Sequence, residues 1–280
     1  MKKKILLFYI AMPLFLLGCS AEIEPFSEEG DNQQHDEQAD QNQDESDEQE
    51  NVSDESFELF DFEGTGDLVD FVTNNESALP DIGRNEGRYL AELTDNEDDK
   101  TLHFNNEQGR LDAKEVSFPF EFIARNIGIG TLEDSQTAPT PSGSLYIFCG
   151  VQVHVEDLND VNSAHVVVGH RGNTHFTIEG KNTLNGNSSV NDIGANTVPD
   201  GRADIRIVGL ENRTIKVYWQ LPNLEYESVA DDWIMYNETG DLPGTAPSFE
   251  NTVYVGLITY AFGYNGVPFS GTCDAIQIQD

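Results

Sequence analysis

From residue 57 to the C-terminus, apolar and polar side chains alternate in short runs separated by Gly, Asn, Asp and Pro. A period of two places successive side chains on opposite faces of a strand, so each run predicts a β-strand. The predicted strands are 57–62, 88–93, 100–104, 116–123, 145–155, 164–169, 175–179, 203–208, 214–221, 253–261 and 275–279. No long amphipathic helix and no repeat accompanies them. The pattern predicts an all-β domain over 57–280, built as a two-sheet antiparallel sandwich or a barrel.

Alternation also gives several of these strands one apolar and one polar side. Val151, Val153 and Val155 face one way, whereas Gln152 and His154 face the other. The strands at 175–179, 203–208 and 214–221 follow the same rule. We expect the apolar sides to form the core and the polar sides to face solvent or a ligand.

The segment 21–56 has a different character. It consists of Glu, Asp, Gln, Asn and Ser with hardly any large apolar residue, and no Lys or Arg interrupts it. Such a chain cannot bury enough apolar surface to offset its ordering entropy, and its like charges repel. Residues 19–56 are therefore predicted to be a disordered acidic tether.

The N-terminal residues carry an export signal. Lys2, Lys3 and Lys4 precede an apolar run that ends at Leu16-Leu17-Gly18-Cys19, and a run of about 13 residues is too short to span a bilayer. The final four residues resemble the lipobox of bacterial lipoproteins. The resemblance implies a signal peptide over 1–18, acylation of Cys19 with palmitate or a similar chain, and a membrane-anchored protein of the cell envelope. The absence of Asp after Cys19 favours the outer membrane or cell surface over the inner membrane.

Charge excludes one class of partner. The chain has a net charge of −36, and loss of residues 1–18 removes three lysines and no acid, which brings it to −39. Nucleic acid binding needs clustered Lys and Arg, so we exclude it.

Two cysteines remain beside Cys19. Cys149 and Cys273 lie on two separate predicted strands. Because two thiols in an exported, oxidising compartment tend to pair, we predict a disulfide between them.

The domain resembles the concanavalin A-like lectin/glucanase superfamily, which includes laminin-G-like modules. The resemblance rests on segments 57–64 (FELFDFEG), 200–207 (DGRADIRI), 214–220 (TIKVYWQ), 254–257 (YVGL) and 272–278 (TCDAIQI). It implies a jelly-roll sandwich whose concave sheet commonly binds glycans. Fold alone does not settle function, since the superfamily holds lectins, hydrolases, lyases and structural modules.

Binding of a sugar needs aromatic surface and a few placed polar groups. Seven side chains on the polar sides of the strands would meet this need on one concave sheet: Gln152, His154, Asp204, Arg206, Lys216, Tyr218 and Gln220. Trp233, Tyr226, Tyr236 and Tyr264 are candidates for exposed aromatic residues on loops.

Catalytic signals are weaker. A retaining glucanase of this superfamily is expected to show Glu-x-Asp-x-x-Glu on one strand, and the chain lacks it. The nearest carboxylates are Glu156 and Glu179, and His154 and His175 could serve a polysaccharide lyase. The histidine spacing matches no zinc signature. The sequence therefore favours a binding protein over an enzyme, with a lyase, a glycosidase or a purely structural adhesion module as alternatives.

Calcium is the one cofactor that the sequence suggests. Asp157, Asn159 and Asp160 lie in an oxygen-rich loop, and calcium takes six to eight oxygen ligands. The spacing does not match an EF-hand, and a solvated acidic turn is the alternative.

Overall fold

The computed structural model describes residues 56–63, 68, 70–76, 81–84, 87–93, 109–140, 146–172, 175–262 and 268–280. The predicted signal peptide, almost all of the tether, and the predicted strand 100–104 lie outside these residues. Within them the chain forms sixteen strands: β1 (Glu58–Phe60), β2 (Val72–Asn74), β3 (Asp81–Arg84), β4 (Tyr89–Leu93), β5 (Arg110–Ser117), β6 (Phe120–Gly130), β7 (Tyr146–His154), β8 (Ser163–Arg171), β9 (His175–Leu184), β10 (Asn187–Asp192), β11 (Arg202–Gly209), β12 (Ile215–Gln220), β13 (Ile234–Met235), β14 (Thr252–Phe262), β15 (Phe269–Cys273) and β16 (Ala275–Gln279). A short 3-10 turn follows β13 at Tyr236–Glu238. No helix in this described part of the chain is long and apolar enough to cross a membrane.

The strands form two antiparallel sheets. The nine-stranded sheet has the order β13-β12-β11-β6-β15-β4-β3, and β16 pairs with both β6 and β1. The seven-stranded sheet has the order β10-β9-β8-β7-β14-β5-β2. Val151 and Val153 of the latter share one buried apolar cluster with Phe122, Ile205 and Ile207 of the former. The two sheets therefore pack face to face over a common core, which confirms the predicted two-sheet antiparallel sandwich.

Two predicted strands have other bounds in the structure, and each difference has a local cause. The predicted strand 116–123 is two strands, β5 and β6, which meet at Phe118 and Pro119. Proline has no N–H to donate to a sheet, so it breaks the run. The predicted strand 175–179 continues to Leu184 and turns back into β10 through Asn185 and Gly186, both at positive φ. An Asn-Gly pair in this conformation closes a tight hairpin.

The outer face of the seven-stranded sheet carries a second apolar cluster. Its members are Leu111, Ala113, Phe148, Val167, Ile258 and Tyr260, with Tyr146, Leu158 and Tyr254 packed at its margin. An antiparallel sheet commonly leaves one face polar and solvated. This outer face is instead largely buried and partly apolar.

The structure corrects the disulfide prediction. Cys149 on β7 and Cys273 on β15 lie in facing sheets, and both are free, buried thiols. Thr259 donates a hydrogen bond to Cys149 Sγ at 3.3 Å, and the Cys273 thiol donates to the carbonyl of Ala275 at 3.2 Å. The two thiols are thus turned toward different partners. Burial raises the pKa of Cys149 to about 11 and that of Cys273 well above its usual value, so both remain protonated at neutral pH.

Candidate functional site

The seven predicted ligand residues do not share a sheet. Gln152 and His154 lie on β7 of the seven-stranded sheet, whereas Asp204, Arg206, Lys216, Tyr218 and Gln220 lie on β11 and β12 of the nine-stranded sheet. Each of the seven projects from the side of its strand opposite the core residues. Because the inner faces of the two sheets pack together, their outer faces point in opposite directions. The expectation of one site on one concave sheet is therefore wrong.

On the nine-stranded sheet, Asp204 and Gln220 are used for internal bonding. Asp204 is fully buried and accepts hydrogen bonds from Arg125 at 3.2 Å and from Gln220 at 2.9 Å. The backbone N–H groups of Asn126 and Asn223 donate to the same carboxylate at 2.7 and 3.0 Å. Burial nevertheless raises the pKa of Asp204. This network fastens a loop to the sheet and leaves Asp204 little capacity for a ligand.

The other three predicted contacts on this sheet are also engaged. Arg206 pairs with Glu121 through two bonds of 2.8 Å and stacks over the Tyr218 ring at 5.2 Å. Lys216 bonds to Asp241 at 2.9 Å. This outer face is therefore already occupied by pairs within the protein.

The aromatic residues that were predicted to be exposed differ in their burial. Tyr226 and Trp233 are partly exposed, with ring centroids 4.6 and 5.3 Å from the Arg125 guanidinium. Tyr236 is fully buried and donates a hydrogen bond to the carbonyl of Asn191, so its predicted exposure is wrong. Tyr264 lies outside the described residues.

The outer face of the seven-stranded sheet brings together a different set of polar residues. Gln152, His165 and Lys181 are register partners across β7, β8 and β9, so they form one row on this face. The Tyr260 ring, from β14, lies 5.7 Å from the His165 ring and 5.8 Å from Lys181 Nζ. We call these four residues the floor of the site. All are at most 6% exposed, although they project away from the core.

A glycine lies between these residues in the register of the sheet. Tyr260 is level with Phe148 of β7 and His165 is level with Gln152, and Gly150, which has no side chain, lies between these two positions on the same face. A Cβ at Gly150 would also collide with the backbone oxygen of Val166 on β8. The ring of Tyr260 packs against Phe148 on its other side at 5.5 Å. The floor thus joins the second apolar cluster directly.

Several polar atoms of the floor have no hydrogen-bond partner among the described residues. These atoms are Gln152 Oε1, both ring nitrogens of His165, and Tyr260 Oη. Each such buried group costs roughly 1–3 kcal/mol if nothing satisfies it. Native structures rarely tolerate such a set without a ligand or ordered water. This concentration of unsatisfied atoms marks the floor as the candidate site.

Charged residues lie beside the floor. Glu179 and Asp192 are register partners on β9 and β10, and both contact Arg171 Nη1, at 3.1 and 2.8 Å. Burial raises the pKa of Glu179 and lowers that of Lys181 to about 7. Burial, reinforced by Lys181, also holds the pKa of His165 well below 6.5, so His165 is neutral at physiological pH. Such perturbed groups in one place are typical of functional sites.

Exposure rises from the floor toward the margins of this face. The Arg171 and Asp192 side chains are 30% and 24% exposed. Tyr146, His175 and Tyr254 are also partly exposed. A ligand that reached the floor would therefore pass between polar and aromatic residues at the margin.

The structure separates the four predicted catalytic candidates. His154 and His175 pair with Ser163 and Arg171, eight residues apart on β8, which places them roughly 27 Å apart along the strand direction. His154 is further engaged with the Val155 carbonyl at 2.9 Å.

The two predicted carboxylates are also distant from each other. Glu179 is level with Gly150 of β7, and Glu156 lies six residues further along, or roughly 20 Å away. A retaining glycosidase needs carboxyl groups about 5 Å apart. Glu156 is exposed beyond the end of β7. Glu156 and Glu179 therefore cannot act as a catalytic pair.

The predicted calcium loop is closed by its own hydrogen bonds. Asp157 Oδ1 accepts from the backbone and side chain of Asn159, both at 2.9 Å, and Asp160 Oδ1 accepts from the backbone of Asn162 at 2.9 Å. The described part of the chain contains no group of three or more His, Cys, Asp and Glu residues able to hold a metal ion. Calcium binding by Asp157, Asn159 and Asp160 stays a prediction.

Sequence reasoning missed Lys181 and Tyr260 as members of one site. Lys181 lies two residues from Glu179 on the same strand, and Tyr260 lies two residues from Ile258, so each pair shares a face of the sheet. The alternation therefore predicts the outward orientation of Lys181 and Tyr260. Their common location was not, because it depends on which strands pair.

The chain matches no protein-family model and no curated protein. Among solved structures it is similar to a β-glucanase of Bacillus licheniformis, with 9% identity, a TM-score of 0.41, and coverage of 80% of this chain and 98% of that one. It is similar to the carbohydrate recognition domain of Emp47p, with 12% identity, a TM-score of 0.42, and coverage of 81% and 96%. It also resembles a xylan β-1,4-xylosidase of Bacillus halodurans C-125, with 12% identity and a TM-score of 0.45; the match covers 70% of this chain but about a third (33%) of the xylosidase. Likeness at this level carries no conclusion about function.

Proposed function

We propose that this protein binds carbohydrate on the outer face of its seven-stranded sheet. The observation that supports this most is the set of unsatisfied polar atoms on the floor, at Gln152, His165 and Tyr260, directly beside a buried apolar and aromatic cluster. Sugars present hydroxyls and C–H patches together, and they are bound where aromatic surface and a few placed polar groups meet. Among the described residues, the nine-stranded sheet offers no such set, since its predicted contacts are paired internally.

The test is affinity electrophoresis of the full chain through gels that each contain one polysaccharide. We expect retardation by at least one polymer and a weaker retardation of Tyr260→Phe, which loses only the unpartnered hydroxyl. Loss of one hydrogen bond is worth about 0.5–1.5 kcal/mol, or roughly a two- to tenfold fall in affinity. Tyr218→Phe is the matched control, because Tyr218 lies on the outer face of the other sheet.

Three outcomes decide the proposal. Weakening by Tyr260→Phe but not by Tyr218→Phe supports it. The reverse pattern would move the site to the nine-stranded sheet. Normal mobility of the wild-type chain in every gel would contradict carbohydrate binding and favour a structural or adhesion module.

Membrane attachment is a separate proposal. Lys2 to Lys4, the apolar run and the lipobox-like end at Cys19 support a lipid anchor, and the acidic segment 21–56 supports a tether that holds the domain away from the envelope. Cells fed a labelled fatty acid should label the wild-type protein and not a Cys19→Ser variant. Equal labelling of the two would contradict acylation at Cys19.

Cleavage of the bound glycan is a second candidate, and Glu179 and Asp192 favour it. Both carboxylates contact Arg171 Nη1, so their oxygens lie within roughly 6 Å of each other, near the spacing used by retaining glycosidases. The raised pKa of Glu179 suits an acid catalyst, although Arg171 lies between the two groups. Release of reducing ends, or of unsaturated products, that Glu179→Gln abolishes would support an enzyme. Binding without any product would leave the protein a lectin-like binder.

A further inference from the structure

The hydrogen-bond donors and acceptors of the floor limit which chemical groups of a ligand can bind there. Gln152 Oε1 can only accept a hydrogen bond. Neutral His165 offers one donor and one acceptor nitrogen, and Tyr260 Oη offers one donor and accepts as well. All these atoms lack a partner among the described residues and belong to side chains that are at least nine-tenths buried. The ligand group must therefore both donate and accept.

A carboxylate or sulfate does not meet this requirement, because it only accepts hydrogen bonds. It could satisfy the donors of His165 and Tyr260, but Gln152 Oε1 would then lie against a negative group. A desolvated acceptor that faces a negative charge is costly. A hydroxyl group, which donates and accepts, can satisfy Gln152, His165 and Tyr260.

The charges around the floor lead to the same conclusion. Arg171 and Lys181 are balanced by Glu179 and Asp192 on the adjacent positions of β9 and β10. The whole chain carries a net charge of −36. Neither the local nor the overall charge offers an excess of positive charge to an anionic polymer.

We propose that hydroxyls of the sugar contact the floor and that, because neither the local nor the overall charge attracts an anion, the ligand is a neutral polysaccharide rather than a uronate or a sulfated glycan. This inference rests on the proposed function, since it concerns the same site. Hydroxyls of the sugar bond to Gln152, His165 and Tyr260, and its C–H face lies on the neighbouring apolar cluster.

The experiment compares matched polymers that differ only in charge. Polygalacturonate and its carboxyl-reduced form have the same linkage, and each is placed in affinity gels at low salt and at 1 M NaCl. The high-salt condition reduces the Debye length to about 3 Å and so removes the long-range repulsion of a polyanion by an acidic chain. A neutral panel of glucans, xylans and mannans is run beside them.

We expect one or more neutral polymers to bind at least tenfold more tightly than any uronate, at both salt concentrations. Gln152→Met removes the acceptor and keeps the shape of the side chain. This substitution should weaken binding of the neutral polymer several-fold. It should also reduce the ratio between the affinity for the neutral polymer and the affinity for the uronate.

Two results would overturn the inference and are distinguishable from failure of the proposed function. Tight binding of polygalacturonate at 1 M NaCl that Tyr260→Phe weakens would keep the site but refute the neutral ligand. Binding of a neutral polymer that neither Gln152→Met nor Tyr260→Phe affects would refute the floor as the site. Absence of binding to every polymer would refute the proposed function itself.

Discussion

His170 provides a quantitative test of the core. It lies on the inner side of β8, level with Ile147 and Phe176, and is 1% exposed. Its ring lies 5.0 Å from that of Phe176, and neither nitrogen has a hydrogen-bond partner among the described residues. Burial, with a smaller effect of His175, lowers the pKa of His170 to about 4. An unfolded histidine titrates near 6.5, so the unfolded chain binds this proton more readily.

The sign of the pH effect follows directly. Between pH 6.5 and 4 the unfolded state is protonated at His170 and the native state is not, so the free energy of unfolding falls as the pH falls. Above pH 6.5 His170 causes no loss of stability, and below pH 4 the loss no longer grows. One pKa unit corresponds to 1.36 kcal/mol, so the full difference amounts to about 3 kcal/mol, of which about 2 kcal/mol has been lost at pH 5.

The substitution His170→Leu removes the pH-dependent contribution of His170 to the free energy of unfolding. We expect the variant to be more stable than the wild type by about 1–3 kcal/mol at pH 7.5, because an unsatisfied buried group is gone. The advantage should grow by about 2 kcal/mol at pH 5. The assay is urea unfolding followed by tryptophan fluorescence at a series of pH values between 7.5 and 5. All other titrating groups, including His165, are common to both proteins and cancel in the difference.

Phe176→Leu is the matched control, because it changes the packing partner of His170 without removing a titratable group. It should lower stability by a similar amount at each pH. The reasoning is refuted if the stability difference between His170→Leu and the wild type is the same at pH 7.5 and pH 5.

Three further results are expected. Arg125→Ala leaves the buried Asp204 carboxylate without its ion pair and should cost 3–5 kcal/mol in urea unfolding, whereas the exposed Arg213→Ala should cost less than about 1 kcal/mol. In a Cys19→Ser variant, Cys149 and Cys273 should react with Ellman's reagent only after denaturation, as two thiols; detection of no thiols would reveal the disulfide predicted from the sequence. Gly150→Ala places a methyl group against the backbone of β8, so it should lower both the unfolding midpoint and glycan retardation, and unchanged values of both would contradict the close strand approach.

The alternation of side chains predicted the strands of the central core well. Val151, Val153, Ile205 and Ile207 are fully buried, and the strand 275–279 has the predicted bounds. Errors arose where a local signal was overlooked. Pro119 divides β5 from β6, and Asn185-Gly186 closes a hairpin that adds β10. Both features were readable in the sequence, since proline cannot donate to a sheet and Asn-Gly favours a tight turn.

The candidate site was only partly predictable. The sequence identified Gln152 and Glu179 as outward-facing residues, and both lie in or beside the floor. It grouped Gln152 with Asp204 and Tyr218, which the structure places on the opposite side of the sandwich. Alternation tells which side of its own strand a residue occupies. It does not tell which sheet the strand joins.

The sequence by itself determined the all-β class, the apolar side of each main strand, and the acidic composition of segment 21–56, because these depend on local periodicity and charge. The tertiary structure alone decided the strand order. Pairing of β14 with β7, of β7 with β8, and of β8 with β9 brings Tyr260 close to His165 and Lys181. The pairing of β14 with β7 joins residues far apart in the chain, and it is selected by burial of the whole core rather than by any local pattern.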